Sequence, residues 1–355
     1  MSKTFINGAS CISVQPSFTE EFPSYSIENK ENNILYAIEP AYKEYIPPAS
    51  IRRMAKGVKM GIVAGIHALK QAQISSPEAI LVGTGMGCVQ DSEKFLRGIL
   101  DNQEQHLTPT AFIQSTHNTV AGQIALNMQC KGMNFTYVNG AVSFESALLE
   151  AKMQMEQNLL KNVLVGGVDE HSPHTLYLYE LANIIKDKGS LPQSILSPKT
   201  QGVRFGEGAT FFALSNYCNE STFAELIEVS FLNRMDINEI PTFINHFLHQ
   251  QGITINDISM VISGRNDNKD DIPYFKAFEN LFSSIPILIY KHLTGEFLTA
   301  SAIGLWIACN ALKKGTVPQS LNILTQKEVN APIQYILLYN QYLGKKHSLI
   351  LLRKK

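Results

Sequence analysis

The chain has 355 residues, of which 45% are hydrophobic and 17% are charged, a composition typical of a globular protein with a large core. Its formal net charge is −1 and its pI is about 6.8, which excludes the strongly basic surface that proteins use to bind nucleic acid. No apolar run approaches the roughly eighteen residues that a membrane span needs, so we expect no membrane-spanning segment.

Strands and helices alternate along the chain. The first part predicts a strand at 4–9, a helix at 51–72, a strand at 79–85, a helix at 119–128, a strand at 134–138, a helix at 142–157 and a strand at 163–170. The second part predicts a strand at 222–231, a helix at 241–252, a strand at 260–264, a helix at 271–282, a strand at 285–291 and a helix at 299–315. Short strands that alternate with helices predict an α/β fold, and this alternation occurs in both parts of the chain.

Cofactor motifs are incomplete in this chain. The pairs His171/His174 and His246/His249 have i, i+3 spacing, but neither has further ligands in a zinc pattern. The turn GTGMGC (83–88) lacks the last glycine of a dinucleotide fingerprint. We therefore expect no metal and no other cofactor. The five cysteines lack CxxC spacing and the first residues lack a secretory pattern, which predicts a cytoplasmic location.

Seven segments, in the same order along the chain, resemble the β-ketoacyl synthases of the thiolase superfamily. They are TFINGAS (4–10), RRMAKGVKMGIVAGIHAL (52–69), ILVGTGMGC (80–88), HNTVAGQIALNMQCKGMNFTYVNGA (117–141), VLVGGVDE (163–170), GVRFGEGATFFALSN (202–216) and YKHLTGEFLTASAIGLWIACNALKKGTVPQSLN (290–322). The resemblance implies a five-layer α-β-α-β-α fold of two similar halves, residues 1–218 and 219–355. It also implies a dimer that pairs the strand at 134–138 across a twofold axis.

The stretch TYVNGAVSFESALLEA (136–151) corresponds to the turn on which the family places its nucleophilic cysteine. The resemblance aligns Ala141 with that cysteine, or Gly140 if the alignment slips by one residue. Neither side chain can attack a thioester. Ser143 matches a serine that has no nucleophilic duty in the family, and Cys130 lies eleven residues before the turn, so a displaced cysteine nucleophile is the weaker alternative.

Both catalytic histidines of the family also lack a counterpart. Arg265 is the closest match to the first histidine, with Asn266 as the alternative. In YKHLTGEF (290–297), Lys291 matches the family lysine and Glu296 stands where the second histidine is expected. A carboxylate would oppose the negative charge of an enolate, so we expect neither condensation nor decarboxylation. A simple ion pair between Lys291 and Glu296 is the structural alternative.

Two further segments correspond to the acyl tunnel of the family. The family's glycine-rich gating loop should fall within YNQYLGKKHSLILL (339–352), with Tyr342 in place of the gating aromatic. The segment PTAFIQSTHN (109–118) corresponds to one that lines the neighbouring subunit's pocket. Phe112, Gln114 and Thr116 are its candidate tunnel residues, with Phe112 as the tunnel stop or, alternatively, as ordinary packing.

A chain that keeps the fold but lacks the cysteine, both histidines and the gating loop resembles the chain-length factors. These are inactive synthase-like subunits of type II polyketide or polyene (aryl polyene, flexirubin) systems. This resemblance implies a heterodimer with an active ketosynthase, contact with acyl carrier protein and an acyl or polyene chain in a shared tunnel. Arg52, Arg53, Lys56 and Lys59 are either a carrier-protein docking patch or a solvated helix face. The alternatives are a diverged catalyst that uses Glu296 or Ser143, and a homodimeric module that binds acyl chains or carrier protein.

Overall fold

The computed structural model describes residues 2–23, 33–107, 109–187, 194–329 and 332–355. The strands are β1 (Thr4–Ile12), β2 (Ala79–Gly83), β3 (Met133–Tyr137), β4 (Asn162–Asp169), β5 (Gly208–Ser215), β6 (Ala224–Asn233), β7 (Met260–Ser263), β8 (Ile287–Ile289), β9 (Tyr335–Tyr342) and β10 (Lys346–Arg353). The helices are α1 (Pro48–Ile51), α2 (Lys56–Gln71), α3 (Val89–Asp101), α4 (Pro109–Ser115), α5 (Thr119–Asn127), α6 (Ser143–Glu156), α7 (Pro173–Leu181), α8 (Ile240–Gln250), α9 (Ile272–Glu279), α10 (Lys291–Thr294) and α11 (Ser301–Lys314).

Hydrogen bonds join these strands into one 10-stranded sheet with the order β3-β2-β4-β5-β1-β6-β10-β9-β7-β8. Strands β1 to β5 and strands β6 to β10 form two sets with the same spatial order. From the outer edge inward, the first set is β3-β2-β4-β5-β1 and the second is β8-β7-β9-β10-β6. The two sets meet where β1 pairs with β6, from Thr4 opposite Leu226 to Ile6 opposite Ala224. The short pairing leaves the two sets free to face each other across a helical layer.

Helices α6 and α11 form that central layer, because each contacts strands of both sets. Helices α2 and α5 cover the outer face of the first set, and α8 and α9 form the outer layer of the second. The five-layer α-β-α-β-α architecture expected from the resemblance is confirmed.

The sequence of α11 explains its central position. All residues from Ser301 to Leu312 are buried, and the helix is apolar around most of its circumference, as a helix enclosed on all sides must be. The charged residues of this helix are Lys313 and Lys314, beyond the buried segment. None of the described helices is long and apolar enough to cross a membrane.

Most of the predicted elements occur within a few residues of their expected positions. The helix predicted at 51–72 is wrong at its start, because residues 52–55 separate α1 from α2. The segment 339–352 forms most of a β-hairpin, β9 and β10, rather than an extended glycine-rich loop.

Candidate functional site

The turn between β3 and α6 carries the residue aligned with the family nucleophile. Gly140 has a φ of +57°, in the left-handed region that glycine tolerates without strain. A short 3₁₀ turn, Gly140–Val142, then leads into α6. Ala141 is 3% exposed, so its methyl group is buried inside the turn. Neither aligned residue offers a nucleophile here.

The hydroxyl of Ser143 is fully used in stabilising this turn. Its Oγ donates a hydrogen bond to the Gly140 carbonyl oxygen at 2.7 Å and accepts one from the Asn139 backbone N–H at 2.8 Å. The side chain is also completely buried. Cys130 precedes β3, at the opposite end of the strand from the turn, and its thiol donates to the Pro77 carbonyl oxygen at 3.2 Å. These geometries provide no activated nucleophile at either residue.

Lys291 and Glu296 form a buried ion pair beside the end of β8. The Lys291 Nζ atom lies 2.6 Å from Glu296 Oε2 and donates a second bond to Asn340 Oδ1 at 2.8 Å. Asn266 donates through Nδ2 to the same Glu296 oxygen at 3.0 Å. None of these four side chains is more than 5% exposed. Burial raises the pKa of Glu296, and the neighbouring Lys291 ammonium partly offsets that rise.

Arg265, the closest match to the first histidine, binds Glu279 rather than Glu296. Its guanidinium binds Glu279 of α9 through two bonds, Nε to Oε1 at 2.9 Å and Nη2 to Oε2 at 2.6 Å. The side chain of the 265–271 loop that reaches Glu296 is Asn266, the alternative match. Asn266 also donates to Asp271 Oδ2 at 2.9 Å. The geometry therefore favours Asn266 over Arg265 as the neighbour of Glu296.

This cluster is poorly suited to stabilising a developing oxyanion. Among the described residues, the cation in contact with Glu296 is Lys291, which that carboxylate already neutralises, and the amides of Asn266 and Asn340 are engaged with Glu296 or with Lys291. A buried carboxylate would oppose negative charge that develops beside it. The arrangement holds the loop, α10 and the β9–β10 hairpin together by buried polar contacts.

Tyr342 ends β9 at the turn of the hairpin. Leu343 and Gly344 have φ values of +52° and +63°, and the Lys345 N–H donates to the Tyr342 carbonyl oxygen at 3.0 Å. The turn therefore has only two central residues. Burial raises the pKa of the Tyr342 hydroxyl, with a smaller contribution from Glu296.

The three candidate tunnel residues on and after α4 have different surroundings. Phe112 is 54% exposed, whereas Gln114 is only 7% exposed. The Thr116 hydroxyl shares a hydrogen bond of 2.9 Å with the Thr119 hydroxyl at the start of α5. Of the three, Phe112 is therefore the side chain that α4 presents to solvent, and Gln114 faces inward.

A narrow apolar cavity lies beside the residues that flank Glu296. It is lined in part by Met86, Tyr179, Phe205, Phe297 and Leu298, and it has room for about one water molecule. In its present form this cavity does not hold an acyl chain.

The predicted basic patch is largely engaged within the chain. Lys56 pairs with Glu207 and, at 3.5 Å, with Glu39. The Lys59 ammonium lies 5.0 Å from the centre of the Tyr42 ring. Two members, Arg52 and Arg53, remain exposed.

The histidine pairs do not form a metal centre in the parts of the chain that the structure describes, where no three His, Cys, Asp or Glu side chains converge on one point. His171 is buried with Nε2 3.0 Å from the Leu35 carbonyl oxygen, while His174 is exposed.

Asn340 is a member of the buried cluster that sequence reasoning missed. It lies in the strand YILLYNQY, where polar Asn340 and Gln341 interrupt a buried apolar run. Polar residues at fully buried strand positions need a hydrogen-bonding partner, and this signal could have identified them.

The comparisons with known proteins agree with this fold. The family model "Beta-ketoacyl synthase, N-terminal domain" matches residues 6–218, more than half of the chain. No curated protein matches the chain.

Solved structures cover the chain almost completely. A β-ketoacyl synthase from Burkholderia phymatum has a TM-score of 0.83 at 16% identity, with 100% of both chains covered. The ishigamide ketosynthase/chain length factor has a TM-score of 0.80 at 15% identity, with coverage of 100% and 99%. The ketosynthase ApeO in complex with its chain length factor ApeC from Xenorhabdus doucetiae has a TM-score of 0.74 at 14% identity, with coverage of 100% and 98%. At these identities the likeness shows the fold. The seven ordered segments, the fold and the match of the family model establish together that the chain belongs to the β-ketoacyl synthase family.

Proposed function

We propose that this chain is a chain-length-factor-like, non-catalytic subunit that pairs with an active β-ketoacyl synthase and shapes its acyl tunnel. The observation that carries the proposal is the buried Lys291–Glu296 pair, because the resemblance aligns Glu296 with a catalytic histidine of the family. Ala141, at the position aligned with the nucleophile, supports it.

Chain elongation in this family needs a thiolate to carry the acyl chain and two imidazoles to stabilise the enolate. A buried methyl group cannot form the thioester, and Glu296 places a carboxylate where negative charge would develop. The thiolate and an imidazole are both replaced while the fold is retained. This combination favours a role in which a partner subunit supplies the catalytic residues.

The surface of the first half supports pairing with another subunit. Among the described strands, β3 forms one edge of the sheet and pairs with β2 alone, while Phe135 and Val138 at this edge are 52% and 50% exposed. Leu96, Leu100 and Ile113 on the neighbouring helices α3 and α4 are also more than half exposed. Unpaired strand edges and apolar patches of this kind are usually covered by a partner.

The partner and its product follow from the same proposal. An active ketosynthase with an intact cysteine and two histidines would dock through β3, and an acidic acyl carrier protein would contact exposed Arg52 and Arg53. The growing chain would be a polyene or polyketide of a type II system, and Phe112 would face its end.

A diverged catalyst that uses Ser143 or Glu296 is the first alternative, but the geometry disfavours it. Ser143 is buried and donates to the Gly140 carbonyl oxygen, and Glu296 is 2% exposed and paired with Lys291. A homodimeric module that binds acyl chains or carrier protein is the second alternative. It differs from the proposal in needing no ketosynthase partner.

The catalytic part of the proposal is tested with the isolated chain, malonyl carrier protein and an acyl carrier protein thioester. We expect no release of carbon dioxide and no condensed product above the protein-free background. The variant Ala141→Cys should stay inactive, because Glu296 remains in place of the histidine. Turnover by the natural chain that Glu296→Gln abolishes would overturn the proposal in favour of a diverged enzyme.

A further inference from the structure

Helices α3 and α4 form a hairpin whose second helix presents Phe112. The C-terminal end of α4 is anchored to its surroundings by side-chain hydrogen bonds. Ser92 Oγ donates to the Ser115 carbonyl oxygen at 3.0 Å, and Ser115 Oγ donates to the Phe112 carbonyl oxygen at 2.7 Å. Thr119 Oγ1 donates to the Ile113 carbonyl oxygen at 2.5 Å. Side-chain hydrogen bonds therefore hold the backbone at and after Phe112.

The ring of Phe112 rests against a second aromatic residue, Phe95 of α3. The ring centroids are 5.2 Å apart and the planes are tilted by 53°, within the range of favourable aromatic pairs. Phe95 is partly buried, whereas Phe112 is 54% exposed. One side of the Phe112 ring is thus supported from within the subunit, and the other is open.

An exposed phenylalanine on a surface helix has more than one accessible χ1 rotamer, and a neighbour that fills one side of the ring selects among them. Phe95 is in the position to make this selection, because it contacts the ring from the first helix of the hairpin.

We propose that Phe95 is a positioning residue that holds the Phe112 ring in the orientation that limits the length of the partner's acyl chain. This inference rests on the proposed function, since Phe112 limits chain length only if the chain pairs with a ketosynthase. Under this proposal, the rings of Phe95 and Phe112 together limit the chain length, rather than the Phe112 side chain alone. Sequence reasoning identified only Phe112, because the contact joins residues on two different helices.

The test uses the purified complex of the chain with its ketosynthase, supplied with malonyl carrier protein and an octanoyl-primed carrier protein. The lengths of the carrier-bound products are measured by mass spectrometry. Phe112→Ala should shift the main product by about one extension unit toward longer chains, because the ring's volume is opened. Phe95→Ala should shift it in the same direction by less.

The double variant identifies the route of the effect. If Phe95 acts through Phe112, Phe95→Ala should cause no additional shift in a Phe112→Ala background. Phe95→Tyr, which keeps the supporting ring, should give natural product lengths. Phe95→Leu, which fills part of the space without the ring plane, replaces Phe95→Ala if the alanine variant does not fold.

Phe18 provides a matched control, since it also belongs to an aromatic pair, with Tyr45 at 6.1 Å, but lies outside the hairpin. Phe18→Ala should leave product length unchanged. Natural lengths with Phe95→Ala and Phe95→Leu, while Phe112→Ala lengthens the product, would overturn the role of Phe95 alone. Additive shifts in the double variant would also overturn it. Failure of the chain to form any complex with a ketosynthase would instead remove the proposed function.

Discussion

Lys291 and Glu296 neutralise each other in the protein interior, and this pairing has a direct consequence for stability. A buried ion pair contributes little compared with an apolar pair of the same shape, but removal of one partner leaves an uncompensated charge. The Asn266 and Asn340 amides bind this pair and would be left without it.

We expect Glu296→Ala to lower the free energy of unfolding by about 3–5 kcal/mol, because Lys291 would stay buried without its counter-ion. The double variant Lys291→Met with Glu296→Leu should cost less than Glu296→Ala alone. Urea denaturation of the three proteins measures both differences.

The exposed pair Lys314–Glu21, with an N–O distance of 2.8 Å, is the control for this experiment. Because both side chains are about half exposed, Lys314→Ala should change the free energy of unfolding by only about 0–1 kcal/mol. An effect of Glu296→Ala as small as that of Lys314→Ala would show that the interior pair is not enclosed as described.

Glu170 predicts a pH dependence of stability. Burial raises its pKa from 4.5 to about 7, although the Gly57 and Gln90 backbone N–H groups donate to it. A raised carboxyl pKa means that the folded state binds the proton more tightly than the unfolded state. The resulting stabilisation is complete below about pH 4.5 and is lost as the pH rises through about 7.

We therefore expect the natural chain to lose roughly 3 kcal/mol relative to Glu170→Gln between pH 4.5 and pH 8, at about 1.4 kcal/mol per pKa unit. Thermal unfolding of both proteins across this range measures the difference. A difference that stays constant with pH would contradict the raised pKa.

The sequence aligned Ala141 and Glu296 with catalytic positions because each lies in a motif whose neighbours are intact, and this alignment stays a prediction. It was not sufficient to choose between Arg265 and Asn266, since that choice depends on Glu279, a residue of α9 that forms a buried pair with Arg265. Asn340 joins the cluster from 49 positions along the chain, and local pattern carries no information about such contacts.

At the scale of elements, strand β3 and the α3–α4 hairpin expose several apolar side chains, among them Phe135, Leu96 and Phe112. Among the residues that the structure describes, strand β3 has one unpaired edge; its central residue, Phe135, is exposed, and its other four residues are partly buried. In the proposed complex this edge continues into a strand of the ketosynthase.

Phe135→Asp should weaken this association by at least about tenfold, because it places a charge in an apolar interface. Leu232→Asp is the matched control, since Leu232 is a 43% exposed apolar residue on β6, which already pairs with strands on both sides. Light scattering coupled to size-exclusion chromatography measures both. Intact association in Phe135→Asp, or equal loss in Leu232→Asp, would place the interface elsewhere.

Regular elements were predictable where apolar periodicity was strong, as in α6, α11 and β4. The break between α1 and α2 was not, and nothing in the residues 52–55 explains why the helix stops there. The hairpin of β9 and β10 was hidden because its turn, Leu343 and Gly344, contains a single glycine signal. The surrounding strands impose the left-handed backbone conformation of Leu343, which its side chain does not favour.

At the scale of the whole molecule, the five-layer fold is retained around a turn in which Ala141 is aligned with the family nucleophile. A large core and a repeated strand order would be preserved if the fold itself provides the surface on which a second subunit docks. In the proposed complex the two subunits have different roles. The ketosynthase supplies the cysteine and histidines, and this chain supplies one wall of the tunnel.

The most direct test of this account is native mass spectrometry of the chain purified gently from its own host. We predict a one-to-one complex with a chain of the same fold that contains an intact nucleophilic cysteine and two catalytic histidines. A homodimer or monomer with no such companion would contradict the account.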